Sequence, residues 1–213
     1  MNDTHPHLSD QRHSIYWARS LLRNKNKYVI LDTETTGLGE DDEIIAIAVI
    51  DLDGNILVNK RLYPTKARKI SKAASSVHGI TMSDLEGCPY YADISKDLKS
   101  AIGKRNVITY NAAFDEKLIR QTYNLSKGLF RNPAFMPKGP WLCAMKQFAR
   151  FIGQWNEYHN DYRWQKLDGF TSNADHTALG DCKGTLEIIH IMAEEKIRKK
   201  WYEFWKIFIR KEI

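Results

Sequence analysis

The chain has 213 residues, 43% of them hydrophobic and 27% charged, which fits an ordinary folded domain and excludes a fibrous or disordered one. No apolar run approaches membrane-spanning length and the opening MNDTHPHLSD lacks a signal-peptide pattern, so a cytoplasmic protein with no membrane role is expected. The net charge of +6 allows a polyanionic partner, and it makes any acidic site a local feature of a basic body.

Residues 9–24 read as an amphipathic helix with Ile15, Ala18, Leu21 and Leu22 along one side, followed by a polar break at 24–27. Residues 28–33 predict a strand, 40–43 an acidic turn, and EIIAIAVID (43–51) a strand buried on both faces. Asp53-Gly54-Asn55 is a hairpin turn signal, and ILVNKRLYP returns from it until Pro64. Residues 28–62 thus predict a three-stranded antiparallel meander. Short helices are expected near 70–77 and 81–86 and a longer one near 90–102. A strand follows at 106–110, then a helix from 112 with Asn111 as its N-cap. Residues 124–140, with Pro133, Pro137, Gly139 and Pro140, predict loop. WLCA (141–144) predicts a short edge strand before a helix reaching about Ile152. Residues 153–175 are aromatic and polar without a clear period. Residues 177–200 predict a long helix, with Ala178, Cys182, Thr185, Ile189 and Met192 on one stripe. The order describes an α/β domain whose mixed sheet is covered by helices. The three scattered cysteines, Cys88, Cys143 and Cys182, suit neither a disulfide framework nor a zinc site and read as buried free thiols.

Alternate strand residues share a face, so Asp32 and Glu34 point together at the end of the first strand, and Thr33 points the other way. Two neighbouring carboxylates repel, and burial adds to the cost. A shared proton, basic neighbours or a divalent cation would relieve it, and oxygen-only ligands suit Mg²⁺ or Mn²⁺. The plainer alternative is an exposed pair opening an Asx-type turn. Asp115 lies in the first turn of a helix, where a favourable interaction with the helix dipole is an equal explanation. Asp181 sits one residue off the apolar stripe of the last helix. His176, five residues earlier, can reach the same site only from a loop, and there it is a candidate general base.

The motifs DTETTGL (32–38), VHGIT (77–81), YNAAFD (110–115) and HTALGDC (176–182) resemble, in order and approximate spacing, those of the DEDDh exonucleases of the DnaQ-like superfamily. The resemblance covers roughly residues 28–195. It implies a ribonuclease H-like fold with a five-stranded mixed sheet, divided as an N-terminal helical extension (1–27), an exonuclease domain (28–198) and a basic aromatic C-terminal helix (199–213). It implies that Asp32, Glu34, Asp115 and Asp181 hold two divalent cations, Mg²⁺ or Mn²⁺, and that His176 is the base. One cation would activate water and the other would stabilise the leaving 3′ oxygen, releasing 5′-mononucleotides from a 3′ end. By the same resemblance Thr33, Thr35, Gly37, Leu38, His78, Asn111 and Phe114 are candidate substrate contacts. A structural role is the competing reading for His78, Asn111 and Phe114.

Single-stranded DNA is the expected partner. The alternatives are an RNA-directed enzyme of the ribonuclease T or oligoribonuclease type, or a silent binding module on the same fold. A ribonuclease H-like endonuclease is disfavoured by the spacing of His176 and Asp181. In the C-terminal helix Trp201, Phe204, Trp205 and Phe208 share a stripe, which would pack on the domain, serve a homodimer or protein partner, or, with the basic residues around it, bind nucleic acid.

Overall fold

The computed structural model describes residues 7–130 and 134–197. The proposed C-terminal helix lies outside the described residues. At the centre is a five-stranded sheet of order β3-β2-β1-β4-β5. Its strands are β1 (Tyr28–Thr35), β2 (Ile44–Ile50), β3 (Ile56–Arg61), β4 (Asn106–Thr109) and β5 (Trp141–Cys143). The first three form the expected antiparallel meander, and β4 and β5 add in parallel, with β5 at the edge.

Strand alternation sorts the core into two layers. Ile30, Ala46, Ala48, Ile50 and Ile108 face α1 (His7–Arg23), α5 (Ala144–Ile152) and α6 (Ala178–Glu194). Val29, Leu31, Ile47, Val49 and Val107 face α3 (Ser95–Ile102) and α4 (Ala112–Ser126). Sandwiched this way, β2 is buried at all seven positions, which is why its sequence lacks a polar alternation.

Several expectations change. The first helix packs against α5 and α6, with Ile15, Ala18 and Leu21 buried in the same core, so it is built into the domain rather than appended. The long last helix ends at Glu194, short of Lys200: Arg19 donates to the carbonyls of Ala193 and Glu195 and closes its C-terminus. The helix expected from residue 90 starts at Ser95, because the Asp93 carboxylate accepts from the Tyr90 N–H and holds a turn there. Residues 153–175 contain a small hairpin, β6 (Trp155–Asn156) and β7 (Asp161–Tyr162). Only Cys182 of the three free cysteines is fully buried; Cys88 and Cys143 are half-buried. Among the described residues no helix is long and apolar enough to cross a membrane.

The sheet creates the site by splitting. Strands β1 and β4 pair from Tyr28↔Asn106 only as far as Ile30↔Ile108. Beyond that point β4 turns into α4, while β1 continues beside β2 to Thr35. A cleft opens at the carboxyl ends of the two parallel strands, the place where α/β sheets commonly bind ligands.

Candidate active site

The cleft has a volume of about 330 Å³. Every expected site residue except His176 lines it, joined by Tyr110, Ser71 and Val77 among others. Asp32 and Glu34 follow Ile30 on the face covered by α6, and Asp181 comes down from the first turn of that helix. One carboxylate oxygen from each of the three lies within 4.8 Å of the others. Asp115 arrives from the opposite layer, at the start of α4. Thr33, which points to that layer, donates its hydroxyl to Asp115 Oδ1 at 2.8 Å. The expected substrate contact Thr33 therefore spends its hydroxyl on holding an acid.

The electrostatics are those of a site short of positive charge. Burial, with the charges of Asp115, Asp181 and Glu34, pushes Asp32 well above the usual carboxylate range. Glu34 rises to about 8, through burial first and then Asp181 and Asp115. Burial lifts Asp115 to about 7 against the Thr33 bond, and burial also raises Asp181. Asp181 Oδ1 is the one buried carboxylate oxygen without a hydrogen-bond partner among the described residues. Convergent carboxylates, an unpartnered buried oxygen and no Lys or Arg lining the cleft fit a hard divalent cation.

His176 lies beside the cleft rather than in it. It occupies the loop before α6, as expected, with left-handed backbone (φ 58°). Its ring is half-exposed, with Nε2 3.9 Å from Asp168, too long for a hydrogen bond. It lines a separate cavity of about 240 Å³ that shares Glu34 and His78 with the cleft. Glycines bring this loop onto the helix. A Cβ at Gly180 would lie 1.9 Å from Asp175 Oδ1 and 2.7 Å from the Asn173 carbonyl, and one at Gly184 would lie 2.9 Å from Thr171 Oγ1.

The loop after β1 is fastened from both sides. Asp42 accepts from the Thr36 hydroxyl and the Gly39 N–H, while Gln121 of α4 donates to the carbonyls of Gly39 and Asp42. Thr35 donates to the Gly37 carbonyl. Leu38 is left 73% exposed at the mouth. The facing wall is α2 (Lys72–His78). Glu43, fully buried, accepts the N–H groups of Thr65, Lys66 and Ala67 and anchors the chain leading to that wall. His78 uses both ring nitrogens: Nδ1 accepts from the Ile80 N–H and Nε2 meets the Thr35 carbonyl at 3.1 Å. Burial lowers its pKa, so it is a neutral brace between α2 and β1. Asn111 sits at the N-cap position of α4 and lines the cleft, but its side chain makes no cap bond. Phe114 is partly buried against the core beside Leu118 and also lines the cleft. The sequence reading missed Val77 and Tyr110. Val77 was visible as the one large apolar residue of a polar seven-residue helix, with no core partner at helical spacing.

Comparison with known proteins agrees with this geometry. The exonuclease family RNase_T matches residues 29–189. An uncharacterized exonuclease, CP81, of Escherichia phage 186 is 35% identical over 176 residues, covering 78% of this chain and 88% of its own length. The DNA polymerase III subunit epsilon of Buchnera aphidicola (subsp. Schizaphis graminum) is 32% identical over 112 residues, 49% of this chain and 48% of the subunit. Among solved structures, the nuclease domain of 3′hExo, a DEDDh family member bound to rAMP, superposes with a TM-score of 0.53 at 16% identity, covering 81% of this chain and 96% of that one. The family match spans the strands, the cleft and α6, and the chain belongs to the RNase_T exonucleases, of the DnaQ-like DEDDh type and ribonuclease H-like fold.

Proposed function

We propose that this exonuclease works from the 3′ end, depends on divalent cations, releases 5′-mononucleotides and prefers DNA to RNA. The observation that carries the reading is the convergence of Asp32, Glu34 and Asp181 from a strand and a helix within 4.8 Å, with Asp181 Oδ1 buried and unpartnered. These three acids, with Asp115 across the cleft, would hold the cations. When bound, the cations supply Lewis-acid activation of water and neutralise charge at the phosphodiester.

The chain's own residues do the rest. Leu38 and Val77, both exposed and both lining the cleft, offer apolar surfaces for the terminal base. The Asn111 amide and Phe114 are within the same cleft and contact the terminal nucleotide. Thr33 fixes the rotamer of Asp115. His176, on the side of Glu34 away from the terminal-nucleotide cleft, takes the proton from the attacking water at its ring nitrogen. The preference for DNA is supported by the likeness to the polymerase III epsilon subunit. A panel of single-stranded DNA, duplex DNA, single-stranded RNA and dinucleotides with Mg²⁺ or Mn²⁺ tests it. Faster turnover of RNA than of DNA of the same sequence overturns the substrate assignment.

A further inference from the structure

The segment between α5 and His176 has no part in the reading above, yet it is built with care. It exposes four large aromatic side chains, Trp155, Tyr158, Trp164 and Phe170. Exposed aromatics clustered in so short a stretch are a cost to a soluble protein unless something covers them. The stretch is fixed in place at three points. Tyr162 is buried and donates its hydroxyl to Asp10 of α1 at 2.7 Å. The Arg163 N–H donates to the Gln154 carbonyl at 2.7 Å, and Asn156 Oδ1 accepts from the N–H groups of Tyr158 and His159 at the hairpin tip. The third point is the decisive one: the Tyr110 hydroxyl, whose ring lines the active cleft, donates to the Gln165 carbonyl.

Trp164, 58% exposed, is therefore the residue next to the one that touches the rim of the cleft. It lies between two cations, Arg163 and Lys166, both exposed and neither in an ion pair among the described residues. An aromatic plane flanked by two cations, one residue along the chain from the Tyr110 contact, matches the chemistry of an unpaired strand: bases stack on the ring and phosphates meet the cations. With the terminal nucleotide between Leu38 and Val77, Tyr110 of the same cleft links it through the Gln165 carbonyl to this segment.

We propose that residues 155–166 form a stacking platform for the unpaired bases upstream of the 3′-terminal dinucleotide, with Trp164 as the first stacking surface beyond the cleft, Arg163 and Lys166 on the backbone, and Tyr158 at the tip serving longer strands. The proposal rests on the exonuclease reading for the direction of the strand. Stacking tolerates any base, so the platform gives grip without sequence preference, and it disfavours substrates that are paired up to the end.

The test compares Trp164→Ala with the wild type on a dinucleotide and on 12-nucleotide DNA and RNA strands. Activity is read as KM and kcat, and binding of fluorescein-labelled strands is read by anisotropy in EDTA, where no turnover occurs. The platform predicts that Trp164→Ala raises KM and Kd for the 12-mers about tenfold, leaves kcat and the dinucleotide KM unchanged, and keeps the wild-type melting temperature. Tyr158→Ala acts in the same direction, more weakly. Equal loss on dinucleotide and 12-mer marks a merely structural role and overturns the proposal, as does an unchanged 12-mer Kd. A self-association that Trp164→Ala abolishes, with strand binding intact, assigns the aromatics to a protein partner and also overturns it. Length-dependent binding in EDTA without any hydrolysis in Mg²⁺ keeps the platform and rejects the catalytic reading instead.

Discussion

The acid cluster makes the metal-free protein a pH-sensitive one, with a sign opposite to that of most carboxylate sites. A carboxyl raised in the folded state keeps its proton there while the unfolded chain releases it near 4. Folded protein then binds more protons than unfolded, so stability falls as the pH rises from about 4 to about 8. Glu34 moves from 4.5 to about 8. At 1.36 kcal/mol per pH unit that is a ceiling of ~5 kcal/mol. Asp115, at about 7, adds to it without doubling it, because the acids share one repulsion. A net loss of ~3 kcal/mol lowers Tm by roughly 6–12 °C for a chain of this size. Calorimetry in EDTA should show that fall between pH 5 and pH 8. Mg²⁺ at a hundred times its Kd should return about 2.7 kcal/mol at pH 8, a rise of roughly 5–10 °C. Asp32→Asn removes one of the repelling charges. It should melt higher than the wild type at pH 8 in EDTA and lose the response to Mg²⁺. A flat wild-type Tm from pH 5 to 8, or an Asp32→Asn variant that responds to Mg²⁺ as the wild type does, would refute the cation site.

Other expectations follow from single side chains. His176→Gly relieves a left-handed backbone and should be as stable as the wild type or up to ~1 kcal/mol more so, while turnover falls by about 10²-fold or more; unchanged turnover removes His176 from the base role. Gly180→Ala pushes a methyl into Asp175 and the Asn173 carbonyl, so the loop bearing His176 must shift. The expected result is a kcat at least about tenfold lower, with a Tm change smaller than that of a core truncation; wild-type kcat contradicts it. Leu38→Ala or Val77→Ala should raise KM severalfold with little change in kcat, since both side chains are exposed in the free protein and gain a partner only when a base is present. Thr33→Val removes the Thr33 hydroxyl bond to Asp115 and should lower kcat with the fold intact; full activity would show that Asp115 is set by other contacts.

The sheet was legible because its pattern follows directly from burial. An uninterrupted EIIAIAVID announces a strand covered on both faces, and Asp-Gly-Asn marks the return. The shared face of Asp32 and Glu34 was legible from strand alternation, and Asp181 joins them one position off the apolar stripe of its helix, but periodicity alone left these acids open to plainer readings and their cation role came from the motif resemblance. Cap and brace roles were not. Whether Asn111 caps α4, or His78 spends both nitrogens on Thr35 and Ile80, depends on rotamers that tertiary neighbours select. The hairpin at 155–162 escaped because its strands have two residues each, too short for any period, and its anchor, Tyr162 on Asp10, spans most of the chain. That His176 lines the neighbouring cavity beside Glu34 rather than the cleft itself was also invisible, since the spacing to Asp181 fixes a loop and a helix start but not the direction of a ring. The +6 surplus resides mainly in residues 198–213, with six Lys or Arg against two Glu, outside the described residues.

The most direct test of the account is a time course on a 5′-labelled linear single strand with the wild type and Asp181→Asn, each in Mg²⁺ and in EDTA. The account predicts that the wild type in Mg²⁺ shortens the strand one nucleotide at a time from the 3′ end and releases 5′-mononucleotides. EDTA and Asp181→Asn should each stop it, with the variant still folded by circular dichroism. Equal cleavage of a circular strand, undiminished hydrolysis in EDTA, or normal turnover by a folded Asp181→Asn would contradict it.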